Sequence, residues 1–297
     1  MPIWIDQNHI NTFRVALLLE RMCPLAYGLG RRFNETYFSE YKTAIDAITS
    51  QGGYAILDPH NYMRYNDPSQ QPATGSIIGD TTDPNAATTE QFQHFWNELA
   101  GRFKNNPQVI FGIMNEPHGM SQIYQSPVVA ILLTRFADMP TSLVLKNDQA
   151  AINGIRNSGA KQLILAPGNG YTGGHSWVSG TSDEPSADYL YMIRDPVNNT
   201  AIDIHEYLDY DYSGQHKVCN QSFAANLGPL TAWLKTYQLK AMIVSCFHSY
   251  KNDIMVDANS LQTEFGGDNT TDCRIDLTEA VNYMAQNPEY IGWTAWV

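Results

Sequence analysis

The chain has 297 residues, 43% of them hydrophobic, and a formal charge of −12 with only 18 Lys and Arg. That length suits one large α/β domain, and an acidic balance without a basic run repels a phosphate backbone, so nucleic acid is excluded as a partner. Nothing approaches the roughly 18 consecutive apolar residues of a membrane span, so no membrane partner is expected either.

Short apolar, β-rich runs alternate with helical stretches along the whole chain. The first run is Ile10–Val15, followed by a predicted helix over 40–51. Tyr54–Leu57 comes next and leads into DPHNY, with a helix over 89–104 behind it. Val109–Met114 leads into NEPH and a helix over 146–158. Gln162–Leu165 runs into APGNGY, Ala201–Ile204 into HEY, and a helix is predicted over 223–237. Leu239–Ile243, a helix over 276–286 and Tyr290–Trp296 complete the series. Strands alternating with helices imply parallel pairing through right-handed crossovers. Nearly every strand hands over to polar residues at its C-terminal end, where a (β/α)8 barrel builds its active site. A doubly wound sheet is the second choice, but it usually carries a Gly-rich phosphate loop after the first strand. No G-x-G-x-x-G is present. No repeat, linker or low-complexity tract marks a second domain, so 1–297 reads as one.

Two carboxylates carry the chemistry. Glu116 follows a strand run in Asn115-Glu116-Pro117, and Glu264 precedes a Gly pair in Thr263-Glu264-Phe265-Gly266-Gly267. Paired on one rim they suit glycoside hydrolysis: one protonates the leaving oxygen while the other attacks the anomeric carbon. A separation of about 5–5.5 Å would retain configuration. For Glu116 to act as acid near neutral pH its pKa must be raised, and a neighbouring carboxylate charge would do that. Further strand-end clusters supply supporting groups: Arg14, then Asp58 to Tyr62 with His60 and Asn61, then His205-Glu206-Tyr207. Imidazole, amide and phenol donors there can orient the carboxylates and hold sugar hydroxyls, and Arg14 near Glu264 would keep that group ionised. The histidines lack close i, i+4 ligand partners, so no metal site is expected. Six Trp and 17 Tyr provide flat faces for sugar stacking, although any one of them also suits core packing.

In this order, NTFRV, LDPHNY, FGIMNEPH, APGN, IDIHEYLD, TEFGG and GWTAW resemble the barrel strands of fungal family 5 endo-β-1,4-glucanases. The resemblance covers most of the chain. It implies a (β/α)8 barrel and retaining endo-hydrolysis of β-1,4-glucan without a cofactor. The implied site is Arg14, His60, Asn115, Glu116 as acid/base, His205, Tyr207, Glu264 as nucleophile and Trp296 as the sugar platform. Trp177, in GGHSW, would line the leaving-group side. The implied partner is a β-glucan, bound by a monomer.

The chain departs from that pattern in four places. No counterpart of the family's first strand precedes NTFRV, and the chain stops at Val297 directly after GWTAW, so the barrel is expected to be incomplete, without its first strand and last helix. Residues 119–137 interrupt one loop, and 244–262 separate LKAMI from TEFGG; each is 19 residues long. Both are read as translated introns, because Val244-Ser245 can be encoded as gta-agt and Gln262 as cag, and similar boundaries fit the first insert. Irregular termini are read the same way, as gene-model errors. As written, the chain is therefore expected to fold poorly and to have little activity.

Cys23, Cys219, Cys246 and Cys273 contain no C-x-x-C pair. Cys219 and Cys273 flank the loops around Glu264 and are expected to form a disulfide, whereas Cys246 lies in the second insert. Sequons begin at Asn34, Asn198, Asn220 and Asn269, which suggests a secreted glycoprotein, although no signal peptide opens the chain. Three other readings share the carboxylate pair or the barrel: a β-1,4-mannanase, an exo-β-1,3-glucanase, and an inactive carbohydrate-binding barrel.

Overall fold

The computed structural model describes residues 10–70, 74–119, 139–180, 184–244 and 270–294. Glu264, Trp296, Cys246, Asn269 and all but the first residue of each suspected insert lie outside them. Seven parallel strands form one sheet: β1 (Thr12–Leu17), β2 (Tyr54–Pro59), β5 (Val109–Gly112), β6 (Ile164–Ala166), β7 (Thr200–Ile204), β8 (Ala241–Val244) and β9 (Tyr290–Thr294). A two-stranded hairpin, β3 (Arg64–Tyr65) and β4 (Ser76–Ile77), sits in the loop after β2. The helices are α1 (Leu19–Met22), α2 (Glu35–Thr49), α3 (Thr89–Phe103), α4 (Thr141–Asn157), α5 (Phe223–Tyr237) and α6 (Thr271–Gln286). None of them is long and apolar enough to cross a membrane.

Spatial order in the sheet follows chain order without a reversal. A doubly wound sheet has a switch point where the order reverses, so the second choice is overturned. The sheet curls until Cα atoms of β1 and β9 come within 8 Å of each other, while no ladder joins the two among the described residues. The architecture is an incomplete (β/α)8 barrel.

Alternation along each strand sorts its side chains between two layers. Ile56, Ile110, Leu165, Ala201, Met242 and Val244 point inward and form a small apolar plug. Their outward neighbours Leu57, Phe111 and Ile164 pack under α2, α3 and α4. Ile202, Ile204 and Ile243 pack under α5 and α6. Above the plug the inward positions turn polar, with Asp58 two residues after Ile56, and Asp203 and His205 after Ala201. The sequence thus closes the barrel bottom with hydrocarbon and leaves the C-terminal rim hydrophilic.

Three helices, α2, α4 and α6, begin earlier than their apolar periodicity suggests, whereas α3 and α5 begin at Thr89 and Phe223 as predicted. Asn34 caps α2 by accepting from Tyr37 N (3.3 Å), and Thr270 caps α6 by accepting from Cys273 N (3.3 Å). A capping side chain thus sets the start of α2 and of α6, while α4 begins after Pro140 without one. Thr88 and Gln91 form a reciprocal capping box on α3. Contact between α3 and α4 depends on Gly154: a Cβ there would lie 2.3 Å from Gln93 O, and Asn97 Nδ2 donates to Gly154 O at 3.1 Å.

Arg156, in the last turn of α4, ties that helix to the starts of β6 and β7. Its guanidinium donates twice to Asp195 (both 2.8 Å) and also to the carbonyls of Ala160, Gln162 and Asn199. Asp195 further accepts from Val197 N, Asn199 N and Thr200 Oγ1, each at 2.9 Å. Burial pushes the Asp195 carboxyl up, but Arg156 and these donors outweigh it and hold it far below the usual range. Asp195→Ala is expected to cost about 3 kcal/mol, because it strands a buried guanidinium. Since the folded pKa is depressed, the contribution is full above the unfolded carboxylate's value of about 3.9 and is lost as pH falls toward the folded one. Urea midpoints of both chains across the acid range check this; an unchanged midpoint at neutral pH would overturn it.

Cys219 and Cys273 form a disulfide that joins the loop before α5 to the first turn of α6, 54 residues apart. Cys23 is buried as a free thiol, its pKa pushed up to about 12 by burial.

Candidate active site

Four strand ends bring polar side chains together at the rim. Arg14 of β1 donates from Nη2 to Asp58 Oδ1 and to Asn115 Oδ1, both at 2.9 Å. Asp58, at the end of β2, lies with its second oxygen 2.9 Å from His60 Nδ1. Burial pushes the Asp58 carboxyl up, but the charges of Arg14 and His60 outweigh it and hold it below the usual range. An ionised Asp58 is thus the hub that aims a guanidinium one way and an imidazole the other. Sequence reading placed Asp58 in the strand-end cluster without giving it this role. Its signal was the two-residue spacing from inward-facing Ile56.

Glu116 lies beyond β5 with φ of 40°, in the left-handed region. A non-glycine residue there stores of order 1–3 kcal/mol of strain and stays only when its surroundings hold it. They do so on both sides. Asn115 N donates to Pro59 O at 2.9 Å, and His118 Nδ1 lies 2.7 Å from the Glu116 carbonyl. Glu116 Oε1 is 2.7 Å from His205 Nδ1; the imidazole side chain is 2% exposed and the carboxylate side chain 14%. The carboxylate therefore faces the rim from one edge while His205 backs it from the other.

Burial raises the Glu116 pKa, but the His205 hydrogen bond and the charges of His205, Arg14 and His60 outweigh it, leaving the carboxyl below its usual value. Raising was expected from Glu264, which lies outside the described residues. Three cationic or ionisable nitrogen side chains surround Glu116, and that sets the direction.

Two expected site residues take other places. Asn61 is fully buried, accepting from Leu19 N at 2.8 Å and donating to Glu20 Oε2 at 2.8 Å. Its amide is spent on the β1–α1 turn, so a sugar cannot reach it. Trp177 is 1% exposed and packs edge-on against Trp233 with ring centroids 5.5 Å apart, inside the core under α5. A ring covered on both faces cannot stack on a sugar. The exposed aromatic beside Glu116 is instead Tyr171, which lies over His118 with centroids 3.9 Å apart and planes 14° from parallel. Its backbone N donates to Pro117 O at 3.1 Å. Only its position after the GNG segment hinted at this in the sequence. Tyr207 follows His205 by two residues, and Gly214, at φ +71°, closes on its ring so tightly that a Cβ would lie 2.4 Å from it.

Glu206, between His205 and Tyr207, points the other way and holds His175 N (2.9 Å) and Asn226 Nδ2 (2.9 Å). Among the described residues, Asp209, Asp211 and His216 come close enough to offer three ligand atoms to a cation. The Asp209 oxygens, however, accept from Gly214 N, His216 N and Ser213 Oγ, so they are spent on the turn.

The match to known proteins follows the same residues. Residues 4–297 match the family model described as Cellulase (glycosyl hydrolase family 5). The chain belongs to glycosyl hydrolase family 5. It is 55% identical to Endoglucanase 1 of Robillarda sp. (strain Y-20) over 297 residues, covering all of this chain and 67% of that protein. Among solved structures, XacCel5A in complex with cellopentaose superposes with a TM-score of 0.75 at 30% identity, covering 98% of this chain and 77% of that one. Cel5A (EG2) from Hypocrea jecorina (Trichoderma reesei) gives 0.73 at 27% identity, covering 97% and 72%. Membership in family 5 agrees with the rim: a strained strand-end Glu, backed by a histidine and flanked by an arginine–aspartate–histidine relay.

Proposed function

We propose that this family 5 chain is an endo-acting glycoside hydrolase that cleaves β-1,4-glucosidic bonds with retention of configuration. The observation that carries the reading is Glu116, held at the barrel rim against His205 within the field of Arg14 and His60. Names of the relatives support the substrate: an endoglucanase among the sequences and a cellopentaose complex among the structures.

In the first step Glu116 gives its proton to the glycosidic oxygen while the Glu264 carboxylate attacks the anomeric carbon. The C–O bond breaks and a glycosyl ester of Glu264 forms. In the second step Glu116, now ionised, takes a proton from water as the water attacks that carbon and frees Glu264. Asp58 positions Arg14 and His60; Asn115, His205 and Tyr207 position the carboxylates and the sugar hydroxyls. Trp296 is the sugar platform at the cleaved subsite, and Tyr171 offers an exposed ring beside Glu116. No cofactor enters this chemistry. The protein acts as a monomer outside the cell, a reading supported by the Cys219–Cys273 bridge, which suits an oxidising compartment, and by exposed sequon asparagines.

Hydrolysis assays on carboxymethylcellulose, mannan and laminarin test the substrate. Cleavage of the first with a rapid fall in viscosity is expected. Preferential cleavage of mannan or laminarin would move the chain to another specificity, and binding without cleavage would make it a lectin-like barrel.

The lowered Glu116 pKa predicts the shape of the pH profile. A general acid works only while protonated, so the alkaline limb of kcat/KM reports the Glu116 pKa, which the His205 hydrogen bond lowers. His205→Asn removes the strongest of the groups that lower this pKa, and should move that limb to higher pH. A limb that stays in place would remove His205 from this role.

A further inference from the structure

Asn220 opens the sequon Asn220-Gln221-Ser222 and directly follows the disulfide half Cys219. Its residue is exposed, and its side-chain amide makes no hydrogen bond among the described residues. Its main chain is fixed, because Asn220 N donates to Leu208 O at 2.8 Å and Cys219 is bridged to α6. Of the other two described sequons, Asn34 uses its Oδ1 to cap α2. The third-residue hydroxyl is engaged in the Asn198 and Asn220 sequons alike, Thr200 by Asp195 and Ser222 by Glu279.

Asn220 also lies on a groove of about 380 Å³ between its own loop and α6. On the far wall stands Ile275, 62% exposed, and Val218 beside Asn220 is 57% exposed. Ile275 offers its hydrocarbon on the groove wall, and Val218 lies in the loop two residues before Asn220. The remaining wall is acidic, with Asp272, Asp276 and Glu279. Partial burial and the charges of Glu279 and Asp272 hold Asp276 above its ordinary value, so these carboxylates crowd one another. Apolar side chains next to strong hydrogen-bond acceptors match a sugar, whose C–H face packs on hydrocarbon while its hydroxyls donate to carboxylates.

We propose that Asn220 carries an N-linked glycan whose first sugars lie in this groove, over Ile275. The proposal rests on the secreted reading, which brings the chain to the transferase and its lipid-diphosphate-linked oligosaccharide. In the transfer, Asn220 Nδ2 bonds to C1 of the terminal N-acetylglucosamine. The bond from C1 to the diphosphate oxygen breaks, the diphosphate leaves with its electron pair, and one amide proton passes to water.

The test translates the full chain behind a signal peptide in the presence of microsomes, and secretes the same chain from yeast. Endoglycosidase H then trims each occupied site to one N-acetylglucosamine, which peptide mass spectrometry reads. Asn220 is expected to be occupied in most molecules from both sources. Occupied Asn34 or Asn198 with bare Asn220 would overturn the proposal and leave secretion standing. Occupancy in microsomes with no yeast export, either of this chain or of the chain lacking 119–137 and 244–262, would leave the acceptor site and overturn the secreted reading. For the groove, Asn220→Gln should lower the thermal midpoint of the glycosylated chain by several degrees and leave bacterially produced, sugar-free chain unchanged. Equal shifts in the two preparations would mean that the sugar does not cover Ile275.

Discussion

With Glu116 replaced by Gln, kcat on cellopentaose is expected to fall by about 10³-fold, the scale of a lost general acid. Gln keeps the size of the side chain and a hydrogen-bonding atom for His205, so the rim should be preserved while the transferable proton is gone. The loss should depend on the leaving group. A dinitrophenyl cellobioside needs no proton to depart, so its first step should be nearly as fast as in the parent chain. Its deacylation slows instead, and added azide, which needs no base, should restore turnover as glycosyl azide. A loss under tenfold on cellopentaose, or a first step on the dinitrophenyl substrate slowed as much as turnover of cellopentaose, would take the acid/base role from Glu116.

A second large effect is expected from removing residues 119–137 and 244–262 together. We propose that these segments do not belong to the working barrel. β8 is described through Val244, whose partner in the β9 ladder is Thr294. With 244–262 gone, Thr263-Glu264 would follow Ile243 directly, and the strand would read LKAMITEFGG. Glu264 would then lie at a strand C-terminus as Glu116 does. Misplacing a reacting group by about 1 Å can cost 10²-fold, so the shortened chain is expected to exceed the chain as written by at least about that factor. Turnover per folded molecule on carboxymethylcellulose measures it, with unfolding curves to count folded chains. Equal activity in the two would make both segments genuine parts of the enzyme, as would their presence in mature messenger RNA. The Glu116→Gln comparison is made in whichever form is the more active.

The alternation of strand and helix was legible because barrel strands are short apolar runs and their helices repeat every three to four residues. The hairpin of β3 and β4 was not, since two residues per strand leave no periodicity to read. Helix starts at Glu35 and Thr271 were missed by about five residues each because a capping side chain, rather than an apolar stripe, sets them.

By itself the sequence determined that strands end in polar clusters, that the chain is a barrel hydrolase, and that Asn115-Glu116-Pro117 lies on the rim. Those conclusions need only local pattern and motif order. What lies next to each strand-end group is a long-range property, and only the tertiary structure decided it. Arg14 meets Asp58 across 44 positions of sequence and Asn115 across 101, so Asp58 emerges as a hub only when the sheet is closed. The same closure turned Asn61 toward α1, buried Trp177 under α5 and put Tyr171 at the surface beside Glu116. It also surrounded Glu116 with His205, Arg14 and His60, which lower its pKa because a carboxylate follows the charges packed around it.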